Sequence, residues 1–324
     1  MQKFILPELY ISNDQYYPRP QVSEQLKKIF IPQENSRSCY IIYGKSGTGK
    51  SISIKMTSRE VGQGVLYVDI PPQLEGFGRE FAKAMNIDIS WLPNKEQWKA
   101  ALSAFERIAK VYKAKYGRPL VIVYDNVDQL ISENTEILDF LQSSVTEYDN
   151  KRKYVAVFVC REFSVHQRIS SRGHWTDIAY FEIGDLTKEE SIDYLNKQNI
   201  KEEEAIKIYE LVGGCILNLK EVVVDLFSGQ SFEDIKKNIK IQAEKEFFGA
   251  ALISCGEYYE VGRKITNALL NSKELYFSEL WEIPNYSERD NELLSKNVFE
   301  YHPETHKITF KSKSVENLIR ESQI

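Results

Sequence analysis

Through the first 185 residues, short continuously apolar runs alternate with longer stretches of helical periodicity. The apolar runs are Ser38–Tyr43, Val65–Ile70, Leu120–Tyr124, Tyr154–Cys160 and Ala179–Ile183. Between and around them, helices are predicted over Val22–Phe30, Lys50–Glu60, Gly76–Met85, Lys95–Tyr116 and Asn134–Asp149. Strands that are apolar at every position belong to a parallel sheet buried on both faces, with the intervening helices covering it. The expected architecture is α/β, a three-layer domain spanning residues 1–185.

Beyond Asp185 the strand pattern stops. Leu186–Lys197, Glu202–Val212 and Leu217–Phe227 carry helical periodicity, with a capping box at Thr187 and Glu190 and a break at Gly213-Gly214. A small helical subdomain over 186–247 follows. From Phe248 the pattern changes again. Helical segments are predicted at Gly262–Leu270, Phe277–Trp281 and Asn291–Lys296, then a hairpin of Val298–His302 and Lys307–Lys311, then a helix over Ser314–Glu321. Helices followed by a hairpin resemble a winged helix, expected over 248–324.

The 324 residues carry 27% charged and 42% hydrophobic positions, ordinary for a folded chain and too apolar for a disordered one. The net charge of −5 argues against a protein that coats nucleic acid nonspecifically, while leaving one basic face possible. Cys39, Cys160, Cys215 and Cys255 are far apart and form no C-x-x-C pair, which reads as free thiols in a reducing compartment. With no signal-peptide pattern and no apolar stretch near the ~20 residues that span a bilayer, the expected location is cytoplasmic.

The chemistry concentrates at Gly44-Lys45-Ser46-Gly47-Thr48-Gly49-Lys50-Ser51, which fits G-x-x-x-x-G-K-[ST] between an apolar strand and a helix. Glycines let the backbone wrap phosphate oxygens in conformations closed to larger residues. Successive N–H groups and the dipole of the following helix then meet the anion. Lys50 would reach the β- and γ-phosphates, and Ser51 would hold Mg²⁺. A chance glycine-rich turn is the bland alternative. The run Leu120-Val-Ile-Val-Tyr-Asp125-Asn126 ends an apolar strand in a carboxylate, the Walker-B arrangement. If this strand lies beside that of the phosphate loop, Asp125 comes near Ser51 and its metal. Otherwise it is an acid capping a turn. Many ATPases of this architecture have Glu where this chain has Asn126. Asn orients water but takes no proton from it. Asp128, the nearest substitute carboxylate, reads equally as a solvated loop acid.

With these motifs in hand, the chain resembles the AAA+/STAND branch of P-loop ATPases, from about Tyr16 to its end. Tyr17-Pro18-Arg19-Pro20 ahead of a helix is similar to the N-terminal box of that group, which implies that Arg19 lies near the adenine. Val159-Cys160-Arg161 resembles the strand-end element in which an arginine senses the γ-phosphate; the alternative partner for Arg161 is the neighbouring Glu162. Arg172 lies where rings of this group carry an arginine finger, or is an exposed loop arginine. Phe181–Leu195 resembles the opening of the helical lid, and Val212–Leu217 its glycine motif, with Cys215 where related chains carry Pro or Arg. The resemblance implies ATP or ADP with Mg²⁺ between the α/β domain and the lid, and a winged helix that packs on the nucleotide domain.

Residues outside those motifs offer less. His166 and His174 read as surface histidines, and His302 and His306 flank the hairpin tip without a second ligand pair. Residues 248–324 hold nine Lys and Arg against twelve Asp and Glu, a net of −3, and only Lys307, Lys311 and Lys313 make a basic wing. That charge opposes DNA binding, which needs clustered cations. The expected function is a nucleotide-dependent switch with slow hydrolysis, working with a protein partner or by self-association. The alternative is a nucleic-acid-linked ATPase of the same class, and a third reading is a module whose nucleotide is purely structural.

Overall fold

The computed structural model describes residues 3–9, 16–33, 36–145, 153–161, 163–171, 178–252 and 256–322. The chain divides into two compact units, the first made of 1–44 and 49–183, the second of 45–48 and 184–324.

The first unit is built on five parallel strands, β1 (Cys39–Tyr43), β2 (Val65–Asp69), β3 (Val121–Asp125), β4 (Val155–Val159) and β5 (Ile178–Glu182), in the order β2-β3-β4-β1-β5. Its helices are α1 (Pro20–Phe30), α2 (Lys50–Val61), α3 (Phe77–Ala84), α4 (Asn94–Tyr116), α5 (Asp128–Glu133), α6 (Thr135–Ser143) and α7 (Phe163–Ser171). Side chains alternate between the sheet's two faces. Ile42, Val65, Tyr67, Val121, Val123 and Val157 join one core with Leu26 and Phe30 of α1 and Ile54 of α2. Ile41, Leu66, Val68, Ile122, Tyr124 and Phe158 join the other, under α3, α4, α5, α6 and α7. These two cores make the three layers anticipated from the continuously apolar strands.

Strand adjacency differs from expectation. The strand carrying Asp125 is not beside the phosphate-loop strand; β4 lies between them, paired with β1 on one side and β3 on the other. Apolar runs buried on both faces are interchangeable in pattern, so their order is set by crossover packing, which the pattern does not record. The helix expected over 134–149 is α6, which Asn134 starts by accepting from the Glu136 N–H and which ends at Ser143, and the pattern does not anticipate α5 before it. Residues 146–149 of that expectation lie outside the described residues.

The second unit contains α8 (Lys188–Lys197), α9 (Glu202–Val212), α10 (Ile216–Phe227), α11 (Phe232–Gly249), α12 (Tyr259–Ser272) and α13 (Lys313–Ser322). An antiparallel sheet of β6 (Leu275–Tyr276), β8 (Lys307–Phe310) and β7 (Phe299–His302) joins them, ordered β6-β8-β7. The capping box at α8 is formed, with Thr187 Oγ1 3.1 Å from the Glu190 N–H it accepts and Glu190 Oε2 2.9 Å from the Thr187 N–H. Asn317 of α13 donates to the Glu210 carbonyl at 2.8 Å, satisfying an acceptor left over at the end of α9. The helices expected at 277–281 and 291–296 are 3₁₀ turns, Phe277–Glu282 and Glu288–Ser295. The buried residues of the second turn, Leu293 and Leu294, are neighbours rather than a helical i, i+3 pair, which suits a short tight turn.

Candidate functional site

In the first unit β1 leads into the loop that ends at Gly49, and α2 begins at Lys50. Gly44, Gly47 and Gly49 all have positive φ, +142°, +86° and +87°. At Gly44 the constraint is also steric, since a Cβ there would lie 2.5 Å from the Ile183 carbonyl oxygen. Gly49 caps α2 in the left-handed conformation, and the first-turn N–H groups behind it have no intrahelical acceptors. Lys50 is buried, and its ammonium donates to the Gly44 carbonyl at the other end of the same loop.

The Asp125 carboxylate, the Walker-B candidate, is supported from three directions. The Tyr67 hydroxyl donates to Asp125 Oδ2 at 2.6 Å, the Asn126 N–H donates to Asp125 Oδ1 at 2.8 Å, and the Ser51 hydroxyl is also hydrogen-bonded to it. Ser51, in the first turn of α2, and Asp125 therefore meet although β4 separates β1 from the strand of Asp125. Burial pushes the Asp125 carboxyl above the usual range, and the Tyr67 and Ser51 bonds partly offset that rise. The same burial, with Asp125 and Asp69 nearby, pushes the Tyr67 phenol far up, so it stays a donor.

Register brings a further acid to this edge. Asp69 ends β2 directly opposite Asp125, and Asn126 Nδ2 donates to Asp69 Oδ1 at 2.7 Å. Lys55 Nζ, one turn after Ser51 on α2, lies 3.6 Å from Asp69 Oδ2. Sequence reasoning missed both Tyr67 and Asp69. The available signal was parity: in Val65-Leu66-Tyr67-Val68-Asp69, alternate residues share the face covered by α2, as Val121, Val123 and Asp125 do on β3.

Asp128 and Arg161 form a pair of their own. The Asp128 side chain is 3% exposed; it accepts from the Arg161 N–H at 3.0 and 3.2 Å and from Arg161 Nε at 3.4 Å. Arg19 immediately precedes α1, and its carbonyl accepts from the Ser23 N–H at 3.0 Å.

The loop residues of the second unit are bonded within that unit. Lys45 Nζ lies 2.6 Å from Asp185 Oδ2 and donates to the Lys311 carbonyl at 2.7 Å. Gly47 accepts from the Leu217 N–H at 3.2 Å, and the Cys215 thiol is 3.7 Å from the Ser46 carbonyl. Thr48 Oγ1 donates back to the Lys45 carbonyl at 3.2 Å.

His166 stacks edge-on against Tyr180, His302 bonds Thr309, and His306 bonds Tyr301. Cys39, Cys160 and Cys215 are buried, and among the described residues they form no disulfide. Arg172, His174 and Cys255 lie outside the described residues. Among the described residues no group of three His, Cys, Asp or Glu is arranged to hold a metal, and no helix is long and apolar enough to cross a membrane.

A glycine-rich strand–loop–helix with an acid at a nearby strand end defines the P-loop class of nucleotide-binding folds. Within that class, residues 33–169 match the AAA domain family, and the chain carries an AAA+ P-loop ATPase domain. No curated protein matches it by sequence. Among solved structures, the Walker-type ATPase of Pyrococcus abyssi is similar with a TM-score of 0.61 and 14% identity, covering 95% of this chain and 97% of that one. The ADP form of the ORC2 protein of Aeropyrum pernix is similar with a TM-score of 0.54 and 13% identity, covering 98% and 97%. At such identities the likeness is one of fold.

Proposed function

We propose that this chain is an ATP–Mg²⁺-dependent conformational switch with slow ATP hydrolysis. The observation that carries the reading is the hydrogen bond between Ser51 and Asp125 at the end of a loop whose three glycines all have positive φ. A hydroxyl and a carboxylate brought together there fit a divalent cation with a phosphate chain, because hard cations take oxygen ligands. Ser51 and Asp125 would hold Mg²⁺, which supplies charge neutralisation to the phosphates when bound. The backbone of Gly44, Lys45, Ser46, Gly47, Thr48 and Gly49 would cradle the phosphates. Lys50 would exchange the Gly44 carbonyl for phosphate oxygen. Arg19 would lie by the adenine and Arg161 would respond to the γ-phosphate.

On this reading residues 1–185 are the ATPase domain, 186–247 a helical lid and 248–324 a winged helix. The small antiparallel sheet with α12 and α13 supports the last assignment. Switching is supported by the bonds of Lys45 and Gly47, groups of the phosphate loop that phosphate would draw on. The output would pass to a protein partner or a second copy. Contact of the winged helix with DNA is the second reading. Against it, Lys307 is bonded to Glu274, Lys311 donates to Asn297 and Lys313 pairs with Glu316, so the cations of the wing are already engaged.

Lys50→Ala tests the site. ATP binding, followed by titration of the purified protein, is expected to vanish. Micromolar binding retained by that variant would overturn the assignment. ADP found by mass analysis of protein purified without added nucleotide would support the switch, and salt-dependent binding to duplex DNA would favour the second reading.

A further inference from the structure

The residue after the Walker-B acid is Asn126, which has no carboxylate to receive a proton from water. Its backbone explains the substitution. Asn126 sits at φ +62°, in the left-handed region. Asn and Asp visit that region because their short side chains bond locally, whereas other side chains pay about 1–2 kcal/mol there. Glu is thus poorly accommodated at 126.

A carboxylate is nevertheless present one strand away. Asp69 is paired in register with Asp125, and its Oδ1 accepts from Asn126 Nδ2. Exposure separates the three acids described at this edge. Asp125 is 2% and Asp128 5% exposed, and both are occupied by internal donors. The Asp69 side chain is 48% exposed. Asn126 spends one amide hydrogen on Asp69, and its Oδ1 remains an acceptor for water. Lys55 lies beside the second Asp69 oxygen and fixes the carboxylate at the strand end.

We propose that Asp69 is the proton acceptor for hydrolysis, with Asn126 orienting the attacking water. This rests on the ATPase reading above. The water oxygen bonds to the γ-phosphorus, and the bond from that phosphorus to the β–γ bridging oxygen breaks. ADP leaves with the electron pair, and the proton of the water passes to Asp69, which later releases it to solvent.

The test compares wild type, Asp69→Asn, Asn126→Asp and the double variant Asp69→Asn/Asn126→Asp. ATP binding, melting temperature and phosphate release are measured on each, with Lys50→Ala as the non-binding control. Asp69→Asn keeps a polar partner for Asn126, so binding and melting temperature are expected to hold while phosphate release falls by about 10²-fold or more. The double variant moves the carboxylate to position 126 and keeps an amide–carboxylate pair; release is expected to recover at least ~10-fold over the single variant, a fraction of the ~10²–10⁴-fold that a well-positioned base supplies. Recovery is a response that a merely structural role would not give. If Asp69→Asn melts early, Asp69→Glu, which retains the carboxylate, decides instead: it must release phosphate faster than Asp69→Asn. Wild-type release by Asp69→Asn, or no recovery in the double variant while it still binds ATP, would overturn the proposal. A wild type that binds ATP without releasing phosphate overturns it too and leaves the nucleotide site standing. A wild type that fails to bind ATP removes the underlying reading.

Discussion

The Tyr67 hydroxyl donates to Asp125 Oδ2 across 2.6 Å, from the neighbouring strand and from the same face of the sheet. A carboxylate this deeply buried is costly to keep charged, and each donor that meets it offsets part of the desolvation. Tyr67→Phe removes one donor and leaves the packing of the ring intact. The expected loss is about 1–3 kcal/mol of unfolding free energy, the cost of an unsatisfied buried charged group. Urea unfolding of Tyr67→Phe, Asp125→Asn and the double variant measures the coupling. The two changes are expected to be non-additive by at least ~0.5 kcal/mol, as for residues in one hydrogen-bond network. Additivity would show that the pair contributes nothing to stability.

Much of this arrangement is readable from residue order, and what is not has identifiable physical causes. The tight glycine turns ahead of α2, the three-layer α/β plan and the capping box at Thr187 follow from local pattern, because each depends on residues adjacent or nearly adjacent in the chain. Helix α11 is absent from the pattern because only Ile235, Ala243 and Phe247 are buried in it, too sparse for a visible apolar stripe. The place of β4 between β1 and β3 depends on crossovers. The acids divide the same way. Asp125 announces itself at the end of an apolar run, whereas the nearness of Asp69 to Asn126 depends on strand register between segments 57 residues apart. Asp128, read from spacing as a spare base or a solvated acid, is buried and accepts from Arg161, which removes the solvated-acid reading.

That pairing separates two roles for Asp128. If it positions Arg161, Asp128→Ala and Arg161→Ala should produce the same defect, a loss of preference for ATP over ADP. A drop of about 5–10-fold in that ratio is expected, within the usual range of coupling energies. A carboxylate acting directly on water would instead lose phosphate release and keep the preference. Competition between ATP and ADP for each variant, measured beside single-turnover phosphate release, distinguishes the outcomes. Equal ATP preference in wild type and Asp128→Ala would remove the positioning role.

In the second unit, Glu316 in the first turn of α13 provides a pH signature. Burial pushes its carboxyl up, but hydrogen bonds and charge from Lys313 and Arg320 outweigh that effect and hold it below the ordinary value of 4.5. The ion pairs lie at 3.0 and 2.9 Å. A carboxylate whose folded pKa is depressed binds protons more weakly in the native state than in the unfolded one. Its stabilisation is therefore fully present above about pH 4.5 and is lost as the pH falls through the lower folded value. Glu316→Gln removes the titration while preserving size. The variant is expected to be less stable than wild type by up to ~1 kcal/mol at neutral pH, the scale of partly exposed ion pairs. The difference should close as the solution is acidified below 4.5, and it should shrink in high salt at neutral pH. Chemical denaturation midpoints of the two proteins across that pH range give the comparison. A gap that stays constant into acid would mean that the glutamate acts through packing and not through its charge.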